Sequence, residues 1–244
     1  MAATLNAEQF IERLNAHQSP DEFKKIQRYF KSDKGEYGEG DLFMGVRMGQ
    51  VFALAKEFID MPPAELEKLL ESPIHEVRAG ALSIMDKQAR RKKTPESRRK
   101  ELYDLYLRRH DRVNNWDLVD VSAPRVIGSY LFDFGKPRDI LYTLAGSQIL
   151  WERRTAIIST LYFIKQRDLT DAFNIAELLL NDEQDLVHKA VGWAMRTAGG
   201  VDRQRLLNFL DQYAATMPRT LLRYSIEQLD PDQRAHYMSL KKAK

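Results

Sequence analysis

Three segments of the chain share one pattern, and their spacing constrains the fold more than any other feature. Each begins with a polar turn, continues through a basic residue and small residues, and ends in an apolar helix. They are residues 72–85 (SPIHEVRAGALSIM), 147–160 (SQILWERRTAIIST) and 182–195 (DEQDLVHKAVGWAM). Arg78 and Arg154 are 76 positions apart (154 − 78), or twice 38, and Lys189 follows Arg154 by 35 (189 − 154). A helix pair of about this length is the repeating unit of HEAT-like solenoids.

Helical spacing of apolar residues dominates the chain, and no segment shows a sustained two-residue alternation. Residues 98–132 supply the repeat that is missing between the first two segments. The sequence therefore predicts an all-α, HEAT-like solenoid of antiparallel helix pairs, in which one helix of each pair lines a concave basic groove. The alternative is an irregular helical bundle, in which these alignments would be accidental.

A single domain is expected over residues 1–244. Its predicted parts are N-terminal helices and a loop (1–43), a repeat core (44–215), and capping helices with a basic tail (216–244).

Two helix starts near the N-terminus can be predicted from capping residues. The first helix is expected after Asn6, with Phe10, Ile11 and Leu14 as its apolar stripe. The second is expected to begin with Ser19 as N-cap and Pro20 in the first turn. The glycine-rich stretch 31–43 is predicted to be a loop.

The distribution of charge suggests a partner that is an anion. The net charge of the chain is only +3, but residues 88–112 hold ten Lys/Arg against four Asp/Glu. Such a block favours a directed basic patch, although runs of this kind are commonly a solvated helix face. The chain has no cysteine, no secretory signal pattern and no apolar run of membrane-spanning length, so a cytoplasmic protein without membrane contact is expected.

No cofactor or metal is expected. The five histidines form no HExxH arrangement, and the chain contains neither a P-loop nor a GxSxG motif. The glycine-rich GEYGEG stretch follows a helix rather than a strand and lacks the GxGxxG spacing of a dinucleotide-binding loop.

The segment RVNNWDLVDVSAP (112–124) places polar groups beside a large ring. On a helix, Trp116 and Asp120 share a face because they are four residues apart, whereas Leu118 and Val119 are predicted to be core residues. A Trp packed between repeats and an Asp that caps a neighbouring helix would explain this pair without any function. The hypothesis of a site gains weight because Arg154, Lys189 and Trp193 lie on inner helices that would line the same groove.

These segments together resemble the HEAT-like DNA alkylation repair family, the AlkD-type DNA glycosylases. The resemblance extends over most of the chain, from QRYFKSDKGEYGEGDLFMGVR through VNNWDLVD, ERRTAI and KAVGWAMR to MPRTLLRYSIEQL. One departure is Gly49, which stands in the third helix where the family has a proline and often an arginine.

The resemblance implies a function and a set of site residues. The family removes cationic N3- and N7-alkylpurines from duplex DNA by hydrolysis of the N-glycosidic bond, without a metal or a cofactor. Its catalytic aspartate matches Asp120, its two groove tryptophans match Trp116 and Trp193, its essential arginine matches Arg154, and its DNA-contacting tyrosine matches Tyr29.

Further phosphate contacts are expected from basic residues near these positions and in the basic block. The candidates are Lys31, Arg153, Lys189, Arg90, Lys93 and Arg112. The expected partner is double-stranded DNA that contains alkylated bases, bound by a monomer. Two alternatives remain at this point: a DNA-binding protein of this fold without excision activity, and a HEAT-type scaffold that binds proteins.

Overall fold

The computed structural model describes residues 5–32 and 34–240, and the prediction of an all-α fold is confirmed for them. The helices are α1 (Ala7–Asn15), α2 (Pro20–Phe30), α3 (Met48–Glu57), α4 (Pro63–Leu70), α5 (His75–Arg90), α6 (Glu96–Arg108), α7 (Trp116–Ala123), α8 (Ser129–Asp133), α9 (Asp139–Ala145), α10 (Leu150–Lys165), α11 (Thr170–Leu178), α12 (Asp185–Gly199), α13 (Arg203–Tyr213), α14 (Arg219–Ser225) and α15 (Pro231–Ser239).

Two short segments depart from the α-helical hydrogen-bond pattern. His110–Arg112 form a 3₁₀ turn before α7, and Pro124–Gly128 form a π-helical segment after it. Within 5–32 and 34–240 the only β-type pairing is an isolated bridge between Leu42 and Ile74. No helix in these same ranges is both long and apolar enough to cross a membrane.

The predicted start of the first helix is confirmed. Asn6 is the N-cap of α1, and its side chain accepts a hydrogen bond from the backbone N–H of Gln9 at 2.9 Å. The side chain of Gln9 accepts in turn from the backbone N–H of Asn6, which completes a capping box. Phe10 and Leu14 are fully buried, whereas Ile11 is only partly covered.

The predicted start of the second helix is also confirmed, with Ser19 as N-cap and Pro20 as the first helical residue. Lys31 is the C-cap of this helix, and its φ of 48° is in the left-handed region. Gly49 lies just inside α3, which begins at Met48. The stretch from Lys31 to Phe43 is non-helical where it is described, as predicted; the four last residues of the expected basic tail, 241–244, lie outside the described ranges.

The chain divides into two compact units, Met1–Tyr130 and Leu131–Lys244. In the first unit α5 is central, because it packs against α3, α4 and α7. In the second unit α10 packs against α9 and α12, and α12 packs against α14. Side-by-side packing of the second helices of successive pairs is the arrangement that stacked helical repeats require.

The small residues in the repeated pattern allow close helix contacts. A Cβ at Gly80 of α5 would lie 2.4 Å from the ring of Phe10 in α1. A Cβ at Gly192 of α12 would lie 2.3 Å from Cβ of Tyr224 in α14. Both distances are far below van der Waals contact, so glycine at these positions is needed for the observed packing.

Candidate functional site

Helix α7 presents one buried face and one partly exposed face. Asn115 is its N-cap, and the side-chain oxygen of Asn115 accepts from the backbone N–H of Trp116 at 2.8 Å. Leu118 and Val119 are fully buried, which confirms them as core residues. Trp116 and Asp120 are half-buried, one helical turn apart. The helix therefore holds an indole and a carboxylate at the boundary between core and solvent.

Trp116 is held by two aromatic side chains of α2. Its ring is stacked with Phe30 at a centroid distance of 5.8 Å and meets Tyr29 edge-on at 5.9 Å. Tyr29 is 64% exposed, as a side chain available to a partner would be. Both rings and Trp116 line a cavity of about 590 Å³ in the first unit. The remaining wall of this cavity comes from Glu22, Lys25, Ile26, Arg47, Met48, Phe52, Ala79, Asp117 and Val121.

The second residue of α7, Asp117, forms a buried ion pair that the sequence did not predict. Its Oδ2 accepts from Nε2 of His75 at 2.8 Å, and His75 is fully buried. Nδ1 of His75 lies 3.4 Å from Oδ2 of Asp41, without hydrogen-bond geometry, so that contact is electrostatic. Burial alone would lower the pKa of His75, but the charges of Asp117 and Asp41 outweigh it and raise the pKa to about 9. His75 is therefore protonated at neutral pH.

Asp41 collects the other polar groups of this region. Arg78 donates to its Oδ1 at 2.6 Å, and the side-chain amides of Asn114 and Asn115 donate to its two oxygens at 3.1 Å each. Burial by itself would raise the pKa of Asp41, but the nearby protonated His75 and the charge of Arg78 hold it at about 2. The two asparagines before Trp116 thus connect the start of α7 to the loop that contains Asp41, between α2 and α3.

The polar turns before the inner helices show that the sequence alignment of the repeats was wrong by one residue. Arg78 donates to the carbonyl of Ser72 at 3.0 Å, and Arg153 donates to the carbonyl of Ser147 at 3.0 Å. In the third segment, Nε2 of His188 donates to the carbonyl of Asp182, again six positions earlier. Arg78 therefore corresponds to Arg153 and His188, and not to Arg154 and Lys189.

Counting along each helix gives the corrected register. The first residues of α5, α7, α10 and α12 are His75, Trp116, Leu150 and Asp185. Asp120, Arg154 and Lys189 are then all fifth residues, while Trp193 is the ninth residue of α12. First, fifth and ninth residues form one i, i+4 row on a helix. The five residues singled out by sequence therefore occupy positions of such a row on their own helices, and the two tryptophans are at different positions, the first of α7 and the ninth of α12.

Three of these residues belong to the second unit. Lys189 and Trp193 are half-buried, and Lys189 forms an i, i+4 ion pair with Asp185 at 2.9 Å. Arg154 is only 5% exposed, and its guanidinium donates to the carbonyl of Leu186 at the start of α12. Part of the guanidinium of Arg154 thus connects two inner helices, α10 and α12.

Arg153, which was expected from the sequence to contact a phosphate, already donates hydrogen bonds within the protein from all three of its guanidinium nitrogens. Its Nε and Nη2 donate to the carboxylate of Asp182 at 2.6 and 3.2 Å, while Nη1 donates to Ser147. This side chain fixes the turn before α10 to the turn before α12.

The basic side chains of the first unit that were expected to contact DNA differ in whether they already bond to other groups of the protein. Lys31 is exposed at the left-handed end of α2, and Lys93 is exposed after α5 and forms no ion pair within the part of the chain described. Arg90 is bonded by Nε to Asp86 at 2.7 Å. Arg112 donates to the carbonyls of Leu70, Glu71 and Ser72, and so it caps the C-terminus of α4.

Ion pairs neutralise much of the basic block. Its pairs with acids of earlier segments are Arg91–Asp60, Arg108–Glu67 and Arg109–Glu71, and its local pairs are Arg98–Glu101 and Lys100–Asp104. The block is therefore in large part a paired helix surface, as the solvated-face interpretation predicted, and the sequence could not reveal the acids that pair with it from a distance.

Comparisons with known proteins agree with the fold. The sequence profile of the family described as DNA alkylation repair enzyme matches residues 10–229. A solved structure described as a predicted DNA alkylation repair enzyme from Enterococcus faecalis superimposes with a TM-score of 0.70. It is 16% identical in sequence, and the match covers 88% of this chain and 98% of that one. No curated protein matches the sequence. Because the family profile covers nearly the whole sequence, the chain belongs to the DNA alkylation repair enzyme family.

Proposed function

We propose that the protein is a DNA glycosylase that excises cationic N3- and N7-alkylpurines from duplex DNA. Membership of the DNA alkylation repair enzyme family supports an enzymatic role in the repair of alkylated DNA. The observation that carries this proposal is that Trp116, Asp120, Arg154, Lys189 and Trp193 are first, fifth or ninth residues of their own helices, α7, α10 and α12. A carboxylate, two indoles and two cations at these positions are the groups that we assign to the reaction.

The reaction needs little help with its leaving group. An alkylated purine carries a positive charge, so when the bond between the sugar C1′ and the purine nitrogen breaks, the electron pair neutralises the base. Positive charge then develops on the deoxyribose, and a fixed carboxylate beside it stabilises the transition state. We assign this role to Asp120.

Asp120 also has a second role in the proposed step. Water adds its oxygen to C1′ and loses a proton, and the carboxylate is placed to orient that water and accept the proton. General base assistance of this kind contributes roughly 10²- to 10⁴-fold to the rate. The products are a free neutral base and an abasic sugar.

The two tryptophans are proposed to offer their ring faces to the charged lesion. Cation–π attraction between an indole and a cation contributes about 0.5–2 kcal/mol, depending on solvent exposure. Trp116 is suited to this role because Phe30 and Tyr29 fix the plane of its ring while the residue stays half-exposed. Neutral lesions lack the charge and the weakened bond, and they are expected to be poor substrates.

The proposed DNA contacts fix the position of the backbone. Arg154 and Lys189, each the fifth residue of its helix, are proposed to approach phosphates. Tyr29, Lys31 and Lys93 are proposed contacts that project from exposed positions. Arg90, Arg112 and Arg153 are kept as proposed contacts, in addition to the structural bonds that each already makes.

The test measures release of 7-methylguanine and 3-methyladenine from methylated duplex DNA by the wild type and by Asp120→Asn. The substitution removes the charge at nearly constant size, and release is expected to fall by roughly 10²- to 10⁴-fold, while DNA affinity is retained. Asp139→Asn, an exposed carboxylate in the first turn of α9, is the matched control and is expected to act like the wild type.

Two results contradict the proposal in different ways. Equal release by the wild type and by Asp120→Asn would remove Asp120 from the mechanism. Absence of release by the wild type, with tight and salt-dependent DNA binding, would identify a protein that binds DNA without excision.

A further inference from the structure

His75 lies at the centre of a charged network that reaches the first turn of α7. It is the first residue of α5 and is bonded to Asp117, the neighbour of Trp116 in sequence. The other oxygen of Asp117, Oδ1, is buried and has no hydrogen-bond partner among the residues described. His75 is therefore the group on which the buried carboxylate of Asp117 depends.

A second connection runs through aromatic rings. Phe30 lies 4.6 Å from the imidazole of His75 and 5.8 Å from the indole of Trp116, centroid to centroid. Phe43 packs on the same imidazole at 5.2 Å. A shift of the His75 ring would therefore displace Trp116 in two ways. It would pull on the side chain of Asp117, which follows Trp116 in α7, and it would move the ring of Phe30, which packs on both rings.

The charges in this network balance only when His75 is protonated. The charged groups that face it are the carboxylates of Asp117 and Asp41, while Arg78 pairs with Asp41 and is itself acted on by Arg112. Without the charge of His75, the buried carboxylate of Asp41 and the largely covered carboxylate of Asp117 would share the cation of Arg78. Leaving a buried charge without its partner is strongly unfavourable, and the start of α7 would have to move to expose Asp117.

We infer that His75 is a positioning residue, which fixes the first turn of α7 and the indole of Trp116 in the arrangement used for excision. This inference rests on the proposed function for its effect on the reaction, but the orientation of Trp116 can be measured without any substrate. His75 itself touches no reacting atom in this scheme, because it is fully buried.

The first experiment compares single-turnover excision by the wild type, His75→Gln and His75→Gln/Asp117→Asn. Gln keeps a hydrogen-bond donor but loses the charge, and misplacement of the site is expected to slow excision by about 10- to 100-fold, with DNA affinity nearly unchanged. Neutralising Asp117 as well removes the unpaired carboxylate, so the double variant is expected to recover part of the rate.

His110→Gln is the matched control, because it removes another buried histidine of the first unit, one that packs on Tyr106. It is expected to excise at the wild-type rate. Rates are measured well below the melting temperature of each variant, so that loss of fold and loss of rate are separated. A rate for His75→Gln equal to that of the wild type would overturn the inference.

The second experiment needs no substitution at His75 and therefore holds even if His75→Gln does not fold. Trp116 is made the only indole by Trp151→Phe and Trp193→Phe, and Tyr29→Phe removes the phenol that lies against it. The emission of Trp116 is then followed with pH, and a transition is expected near pH 9 as His75 loses its proton. A flat emission profile between neutral pH and pH 10 would overturn the inference.

The two experiments separate this inference from the proposed function. An emission transition in the single-indole variant, together with no base release by the wild type, would support the positioning role of His75 while rejecting the glycosylase proposal. Full excision by His75→Gln would reject the positioning role while leaving the glycosylase proposal intact.

Discussion

The start of α5 in the first unit and the start of α10 in the second unit are held by the same pattern of arginine hydrogen bonds, but the groups around each arginine differ. In both, the fourth helical residue is an arginine that donates to a serine carbonyl six positions earlier and to an aspartate. Around Arg78 the aspartate also contacts a protonated histidine and two asparagines. Around Arg153 the aspartate is Asp182, which serves as the cap of the next turn.

The difference between these two arrangements lies in what they hold in place. The pair of Arg153 and Asp182 joins the turns before two neighbouring helices, α10 and α12. The Arg78 network adds His75 and Asp117 and so extends to the helix that carries Trp116 and Asp120. The second residues of the inner helices make the same point: they are Glu76 and Asp117 in the first unit, but Trp151 and Leu186 in the second.

Glu76 shows how strongly the first unit depends on buried carboxylates. It is fully buried, and its side chain accepts hydrogen bonds from the backbone N–H groups of Met44, Gly45 and Val46 at 2.9–3.2 Å. A charged acceptor of this kind orders the loop segment that leads into α3. The non-helical stretch before α3 is thus held by polar groups rather than by a large apolar contact.

The largest expected effect comes from removing the two arginines. Arg78→Met leaves Asp41 buried without its main cation, and breaking a buried pair in this way lowers the free energy of unfolding by about 3–5 kcal/mol. Arg153→Met removes a partly exposed pair and is expected to lower it by roughly 1.5–3 kcal/mol. Urea unfolding followed by circular dichroism measures both values.

Arg13→Met is the control for that comparison, because its pair with Glu57 is half-exposed on both sides. Exposed pairs contribute about 0–1 kcal/mol. Equal losses for Arg78→Met and Arg153→Met would mean that the added groups around Asp41 contribute nothing to stability.

A change of pH is expected to have an effect of intermediate size on the free energy of unfolding, because His75 and Asp41 of the first unit have shifted pKa values. The pKa of His75 is raised from 6.5 to about 9, so its contribution is complete below pH 6.5 and is lost as pH rises through 9. The pKa of Asp41 is lowered from 3.8 to about 2, so its contribution is complete above pH 3.8 and is lost as pH falls through 2. The network is therefore most stabilising between about pH 4 and 6.5.

His75→Phe tests this pH window, because it keeps an aromatic ring against Phe30 and Phe43 but removes the charge. The free energy of unfolding of the wild type is expected to fall by a few kcal/mol between pH 6.5 and 9, whereas the variant should show a flatter profile over that interval. Parallel profiles for the two proteins would show that His75 does not gain its charge on folding.

The smallest expected effect concerns DNA affinity and compares one lysine from each unit. Lys93 has an uncommitted charge, so Lys93→Ala should weaken binding and reduce the slope of log affinity against log salt by about 0.9. Lys189 must exchange Asp185 for a phosphate, and Lys189→Ala is expected to change the slope less. Fluorescence anisotropy with labelled duplex DNA at several salt concentrations measures both.

Lys165→Ala, at the exposed end of α10, serves as the control for nonspecific loss of charge. Its slope is expected to equal that of the wild type. A slope for Lys93→Ala that also matches the wild type would remove Lys93 from the proposed DNA contacts.

The sequence by itself determined the features that depend on neighbours along the chain. The start of α1 at Asn6 and of α2 at Ser19 follows from local capping, and the half-exposed row of Trp116 and Asp120 follows from helical spacing. Lys189 and Trp193 share a face of α12 for the same reason, whereas the alignment of the repeats had to be shifted by one residue at Arg78.

Only the tertiary structure decided which polar groups meet across the helices. His75 pairs with Asp117, 42 positions away, and the arginines of the basic block find acids up to 41 positions earlier. Apolar periodicity states which face of a helix is buried, but not which charge from another repeat lies opposite it. Which charges meet depends on helix packing. In the first unit a buried histidine contacts the aspartate that binds Arg78, whereas in the second unit the equivalent aspartate, Asp182, pairs with Arg153.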